Sequence, residues 1–212
     1  MMRIVVLGAA GQLGREVVGA LVARQYAVRA VVRHPPILAL GSSVEVQIAD
    51  ARKKAEIRQA LSGCDAVVNA IGAGTLLRND LESTTTSVAV ATAEEVGIRR
   101  YIAMSAGMVV LDWFLFKYVL RPLVFRNIYA EHCRVEEIVR ASCLAWTIVR
   151  PPKLTNGPPT GYVAGLERTP KSFSVARADV ASFIADELRG EKYVRQAAFV
   201  ASCRDRKENN SS

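Results

Sequence analysis

Soft metal ligands are scarce in this chain of 212 residues, which holds four cysteines and two histidines. Cys64, Cys133, Cys143 and Cys203 stand far apart with no Cys-x-x-Cys, and His34 and His132 complete no ligand spacing. Neither a metal site nor a disulfide framework is expected, and the thiols fit a reducing compartment. Long hydrophobic runs are also few. The longest, Met108–Phe125, is interrupted by Asp112, Lys117, Arg121 and Pro122, well short of the ~20 apolar residues that span a bilayer. At the start, Met1-Met2-Arg3 leads into Ile4-Val5-Val6-Leu7 before a glycine. That run is too short for the core of a secretion signal, so a cytoplasmic protein opening on a buried strand is expected. Acidic residues are outnumbered, 20 against 28 basic ones, for a net charge of +8. Such a surface attracts anions. The basic residues are scattered and not interleaved with aromatics, so nucleic acid is not an expected partner.

What is present is apolar mass. Hydrophobic residues make up 50% of the chain and charged residues 23%, which excludes disordered and collagen-like architectures. The length suits one large domain, or a core with a small appendage. Short β-branched runs at Ile4–Leu7, Ala27–Val32, Val44–Ile48, Ala66–Ala70, Tyr101–Met104 and Trp146–Val149 alternate with helical patterns. Near-continuous apolar strands are what a parallel sheet covered on both faces looks like in sequence. The intervening stripes are Leu13, Val17 and Leu21, then Ile57 and Leu61, then Val88, Ala91, Thr92 and Val96. The expected fold is α/β, a doubly wound parallel sheet of Rossmann type, in a single domain over 1–202 with a small C-terminal substrate region. Pro151–Pro170 holds five of the eight prolines and is expected to be an irregular substrate-side loop. A helix over Ala178–Leu188, a last strand at Ala197–Val200 and a disordered polar tail over 203–212 complete the reading.

The first strand runs into Gly8-Ala9-Ala10-Gly11-Gln12-Leu13-Gly14, which opens the first helix. Glycine triplets at the first strand-to-helix turn of a βαβ unit bind dinucleotides. The turn needs positive φ, the backbone must approach a pyrophosphate, and the helix N-terminus offers free N–H groups to it. The spacing is Gly-x-x-Gly-x-x-Gly. About 20 residues on, where NAD-binding proteins place an acid for the ribose hydroxyl, this chain has Val31-Val32-Arg33-His34. Arg33 is the candidate for a 2′-phosphate. Arg15, a cation in the first turn of the first helix, is either a second candidate or a surface partner for a carboxylate. Asp50, after the third strand, either accepts from the adenine amino group or caps the helix beginning near Lys53.

These segments, with Val67-Val68-Asn69-Ala70-Ile71-Gly72, Met104-Ser105-Ala106, Val149-Arg150-Pro151-Pro152 and Arg177-Ala178-Asp179-Val180-Ala181, resemble the atypical short-chain dehydrogenases/reductases. Within them the chain is similar to the NAD(P)H-binding, NmrA-like family and to its biliverdin-IXβ reductase/flavin reductase type. The resemblance implies NADP(H) as cofactor and adds Ala70, Ile71, Gly72, Ser105 and Pro151 to the cofactor contacts Gly8, Ala10, Gly11, Gln12, Leu13, Gly14, Arg33 and Asp50. It also places His132 where that type has a helix histidine, which makes Ser105 and His132 the candidate catalytic residues. Lys153 departs from the type's pattern after the proline pair.

One absence weighs on the chemistry. No Tyr-x-x-x-Lys occurs anywhere in the chain, and that pair is the usual acid of carbonyl reductases in this superfamily. Ala103-Met104-Ser105-Ala106-Gly107 resembles a nucleophile elbow, but Asp112 and His132 follow too soon to converge on it from separate strand ends. Ser105 is better placed at the carboxyl end of strand five, beside the nicotinamide, if it is more than a loop serine. The aromatic-rich Met108–Phe125 either walls a flat substrate, packs or forms a dimer contact, or touches a membrane surface. The function expected is NADPH-dependent hydride transfer to a small aromatic acceptor, a flavin, quinone or linear tetrapyrrole. The alternative is a non-catalytic NADP-binding sensor or assembly factor of NmrA-like type.

Overall fold

The computed structural model describes residues 1–35, 43–72, 80–107, 125–167 and 173–203. Strands β1 (Arg3–Leu7), β2 (Ala27–Val32), β3 (Val44–Ile48), β4 (Ala66–Asn69), β5 (Arg100–Met104) and β6 (Ala145–Arg150) are followed by β7 (Lys153–Thr155), β8 (Tyr162–Gly165), β9 (Ser174–Ala176) and β10 (Gln196–Ser202). Among the described residues the main sheet has the order β3-β2-β1-β4-β5-β6-β10-β8. Every neighbour pair is parallel except β8 against β10. Ile4, Val5, Val6 and Leu7 are all fully buried, as a central strand covered on both faces requires. This is the expected doubly wound α/β fold.

Helices α1 (Gln12–Ala23) and α5 (Arg177–Gly190) cover one face, where Val17, Leu21, Val180 and Ile184 pack on Ile4, Val6 and Val28. The other face carries α2 (Lys54–Leu61), α3 (Leu81–Glu95) and α4 (Arg126–Ala141), with Ile57, Leu61, Ala89 and Val139 against Val5, Leu7 and Val67. Chain order reverses between β1 and β4. Crossovers leave that point in opposite directions and open a crevice at the carboxyl ends of the strands, where open α/β sheets bind their ligands.

Three expectations are corrected. Pro151–Pro170 is not wholly irregular, because β7 and β8 form in it, pairing with β9 and β10. Pro151 and Pro152 precede β7, and Pro158 and Pro159 fall between β7 and β8, so these four interrupt no ladder hydrogen bond. The expected α3 stripe Val88-Ala91-Thr92-Val96 is only part of the buried face, with Val88 and Val96 half-buried against the core. Thr92 is buried, but Ala91 is exposed, and the helix buries Glu82, Ser83, Thr85, Thr86 and Ala89. That face is largely polar, so apolar periodicity could not locate it. Finally, β3 is an edge strand, and its Val46 and Ile48 are 43% and 58% exposed.

At the amino end of β5, away from the crevice, Arg100 Nη2 pairs with Glu187 Oε1 at 2.9 Å in the interior. Glu187 also accepts the backbone N–H groups of Lys192 and Tyr193. Removing one partner of such a pair is destabilising because the other is left charged and buried. No helix among the described residues is long and apolar enough to cross a membrane.

Candidate active site

The crevice is built on the glycine turn. Gly8 has φ +77°, and a Cβ there would stand 3.0 Å from the Ile71 nitrogen. The Gly11 N–H donates to the Gly8 carbonyl at 3.0 Å and Ala9 N–H to the Val31 carbonyl at 3.2 Å. A Cβ on Gly14 would lie 2.2 Å from the Gly8 oxygen, so Gly14 lets α1 sit against the turn and lines neither cavity described below. Gly11 caps α1 without a side-chain bond, and the first turn carries no acid. The leading N–H groups of α1 therefore face the crevice uncapped, an arrangement that draws an anion.

On the β1–β3 side lies a cleft of about 260 Å³ walled by Gly8, Ala10, Gly11, Val31, Val32, Arg33, Asp50, Ala70, Ile71 and Gly72. Arg33 is exposed at its rim and makes no ion pair or hydrogen bond among the described residues. Asp50 does not cap α2, whose N-cap is Lys53 with no side-chain bond. Its carboxylate accepts Arg52 Nε at 3.0 Å, Arg52 Nη2 at 2.6 Å and the Arg52 backbone N–H at 3.0 Å. Those bonds hold it well below the usual carboxylate range. It is Glu56 that reaches back, accepting the Asp50 N–H at 2.7 Å. The wall at 70–72 is fixed by Asn69, which accepts Ile71 N–H at 3.2 Å and donates to Thr86 Oγ1 and Tyr101 Oη. Burial pushes the Tyr101 phenol up, so it is neutral.

Across the turn is a larger cavity of about 530 Å³, lined by Gln12, Leu13, Ile71, Gly72, Glu82, Ser105, His132, Pro151, Leu154 and Arg177 among others. The structure brings Ser105 and His132 to this one cavity. Ser105 follows β5, 5% exposed, with its N–H on the Val149 carbonyl at 2.8 Å. Its hydroxyl donates to Glu136 Oε1 at 2.8 Å. Glu136, from α4, is gripped by Arg150 through Nε at 2.8 Å and Nη2 at 2.5 Å, with Arg140 at 3.3 Å. Burial alone would raise the Glu136 pKa, but hydrogen bonds from Arg150 and Ser105 and the nearby guanidiniums outweigh it, and the net shift is downward. His132 Nδ1 lies 3.2 Å from Glu82 Oε2, at ion-pair distance but not aligned as a hydrogen bond.

Sequence reasoning missed Glu82 and Glu136, and read Arg150 and Arg177 only as parts of motifs. Glu136 is four residues after His132, on the same helix face, which is the one signal that pointed to it. Asp179, in the Ala-Asp-Val segment, accepts the N–H groups of Thr160 and Gly161 at 3.0 Å each, and so ties the proline-rich segment to α5. Arg15 is not brought to Arg33: it lines a separate depression with Gln12 and Arg177. Residues 108–124 of the aromatic-rich run and 204–212 of the tail lie outside the described residues.

A doubly wound sheet with a glycine turn at its switch point defines a dinucleotide-binding protein. The profile of the NAD(P)H-binding family matches residues 8–191, and the chain belongs to that family. It is 31% identical over 209 residues to YhfK of Bacillus subtilis, named an uncharacterized sugar epimerase, covering 93% of this chain and 92% of that one. It is 29% identical to the UPF0659 protein YMR090W of Saccharomyces cerevisiae, over 88% and 87% of the two chains. A solved protein from Bacillus halodurans, described as an NAD-dependent epimerase/dehydratase, superposes with a TM-score of 0.81 at 25% identity, over 95% and 94% of the chains. A short-chain dehydrogenase/reductase from Veillonella parvula in complex with NADP shares the fold, with a TM-score of 0.79 at 21% identity over 95% of each chain.

Proposed function

We propose that the protein is an NADPH-dependent reductase of the flavin or biliverdin reductase kind, acting on a small flat acceptor such as a flavin, quinone or linear tetrapyrrole. The observation that carries this reading is the direction of the Ser105 hydrogen bond. Its proton is held by the ionised Glu136 carboxylate, so the hydroxyl offers the cavity only lone pairs. A carbonyl reductase needs a donor aimed at the oxygen where charge develops. Ser105 does not supply one, and Tyr-x-x-x-Lys is absent. An acceptor whose ring delocalises the incoming charge and takes its proton from water has no such need.

The chain's residues fit the cofactor. The glycine turn has no room for a Cβ at Gly8, the α1 N-terminus is open for a diphosphate, and Arg33 is free for a 2′-phosphate. When bound, NADPH supplies hydride. Asp50 and Ala70–Gly72 would border the nucleoside, Pro151 would close the nicotinamide end, and Ser105 would accept from a carboxamide or acceptor N–H. His132, beside Glu82, faces the acceptor's side of the cavity. Holding the two reactants in register is the protein's main contribution.

The test is NADPH oxidation, followed by absorbance, against flavins, quinones and bilins, with a nucleotide sugar included because the Bacillus subtilis relative is named an epimerase. Reduction of at least one flat acceptor is expected. Ser105→Ala should lower that rate about tenfold, as the loss of one hydrogen bond of about 1–2 kcal/mol would. Isomerisation of the sugar with no net NADPH oxidation would replace this reading. Tight NADPH binding with no turnover on any acceptor would favour the NmrA-like sensor.

A further inference from the structure

The cavity beside Ser105 continues past the nicotinamide end. Gln12 and Arg177 line it and also line a neighbouring depression of about 290 Å³, whose other walls include Arg15, Glu16, Thr155 and Asn156. Building on the reductase reading, we propose that this depression is a substrate subsite for an oxyanion, a carboxylate or phosphate, carried on an arm of the acceptor whose ring lies in the larger cavity.

The charge is unbalanced and accessible. Two guanidiniums face one carboxylate, and the three are not paired with one another: the side chains of Arg15 and Glu16 make no ion pair or hydrogen bond among the described residues. Adjacent positions on a helix do not face each other, so Glu16 does not quench Arg15. Arg177 Nη1 donates to Asn156 Oδ1 at 2.6 Å, which fixes the guanidinium plane where the two cavities meet. A guanidinium has five N–H donors, and the others remain for a ligand. A planar fork held in this way suits two-point recognition of an oxyanion.

Both cations also stand where helix electrostatics oppose them, Arg15 at the start of α1 and Arg177 as the first residue of α5. The α1 first turn has no acid. The acid of the α5 first turn, Asp179, is turned to Thr160 and Gly161. An anion between the two arginines relieves this repulsion. The cofactor's 2′-phosphate does not claim the position, because Arg33 lines the other cleft and Arg15 does not. The residues shared with the depression, Gln12 and Arg177, line the acceptor's cavity and not the nucleoside's.

The test uses acceptor pairs that differ only in the charged arm: flavin mononucleotide against riboflavin, and a bilin diacid against its dimethyl ester. With the 212-residue protein saturated in NADP+, equilibrium titration should give the charged member of at least one pair a Kd about tenfold to a hundredfold lower. A preference within the flavin pair assigns a phosphate, and one within the bilin pair a carboxylate. Arg15→Gln and Arg177→Gln should each narrow that ratio, and the double variant should abolish it while the Kd for NADPH stays fixed. Steady-state KM values should follow the same ratios where turnover is measurable. Because the titration needs no turnover, failure of the reductase reading leaves it readable. Equal affinities for both members of both pairs overturn the proposal. So does a rise in the NADPH Kd of the variants with the acceptor ratio unchanged, which would place the arginines on the cofactor's diphosphate.

Discussion

Gly11 and Gly14 are three residues apart in one motif and answer to different constraints. At Gly14 an added Cβ meets backbone, 2.2 Å from the Gly8 oxygen and 2.8 Å from the Ala9 Cα. Neither can move without lifting α1 from β1, so Gly14→Ala should lower the melting temperature by several degrees, the effect of about 1–3 kcal/mol of overpacking. At Gly11 the φ of −68° suits any residue, and the one close atom, the Gly8 oxygen, is 3.2 Å away. Gly11→Val should melt near wild type, yet its methyl groups occupy the approach to the α1 N-terminus and should weaken NADPH binding more than tenfold. Thermal melts and NADPH titrations on the two variants check this. A Gly11→Val protein that binds like wild type would make the whole motif a matter of chain turning.

At the scale of elements, the Glu136–Arg150 pair joins α4 to β6 and, through Ser105, to the end of β5. The native pKa of Glu136 lies below its ordinary value of 4.5. A depressed carboxylate stabilises the fold above its unfolded pKa, and this contribution is lost as pH falls through the native value. The pair's contribution should be constant around neutrality and vanish in acid. Glu136→Gln leaves Arg150 buried without a counter-charge, a loss of about 3–5 kcal/mol, or roughly 6–20 °C in melting temperature for a chain of this size. The gap between wild type and variant, measured by melts from pH 7 down to the acid limit, should close in acid; a gap of constant width would contradict the ionic account. Of this network, only the four-residue spacing of His132 and Glu136 was legible beforehand. Apolar, β-branched runs disclosed β1, β2, β4, β5 and β6 because burial on both faces leaves a one-dimensional mark. The Glu136 network joins residues from three separate segments, and the polar inner face of α3 looks like a surface in sequence. Both depend on what packs opposite, which only the tertiary arrangement supplies.

For the molecule as a whole, the crevice bridges the two halves of the sheet. Arg33 and Asp50 come from the β1–β3 half, Ser105 and Pro151 from the β4–β6 half, and the glycine turn lies between them. The turn and Arg33 were readable in sequence because each is local, a few residues in fixed register with a strand end. The joining of two cavities and an arginine-lined depression was not, since α1, β7 and α5 meet there from distant parts of the chain. A ligand that spans both halves exists only on the folded protein, so it stabilises by mass action, by about 2.7 kcal/mol at a hundredfold excess over Kd. With about 2–4 °C per kcal/mol, NADPH should raise the melting temperature by roughly 5–10 °C. A charge-assisted contact from Arg33 to the 2′-phosphate would add about 1.5–3 kcal/mol, so NADH at equal concentration should give a shift smaller by several degrees. In Arg33→Ser the two shifts should coincide at the NADH value, because only the phosphate distinguishes the cofactors and, among the described residues, that guanidinium is the one standing free at the end of β2. Equal shifts in the wild-type protein would mean that Arg33 faces solvent and that the chain does not discriminate between the two.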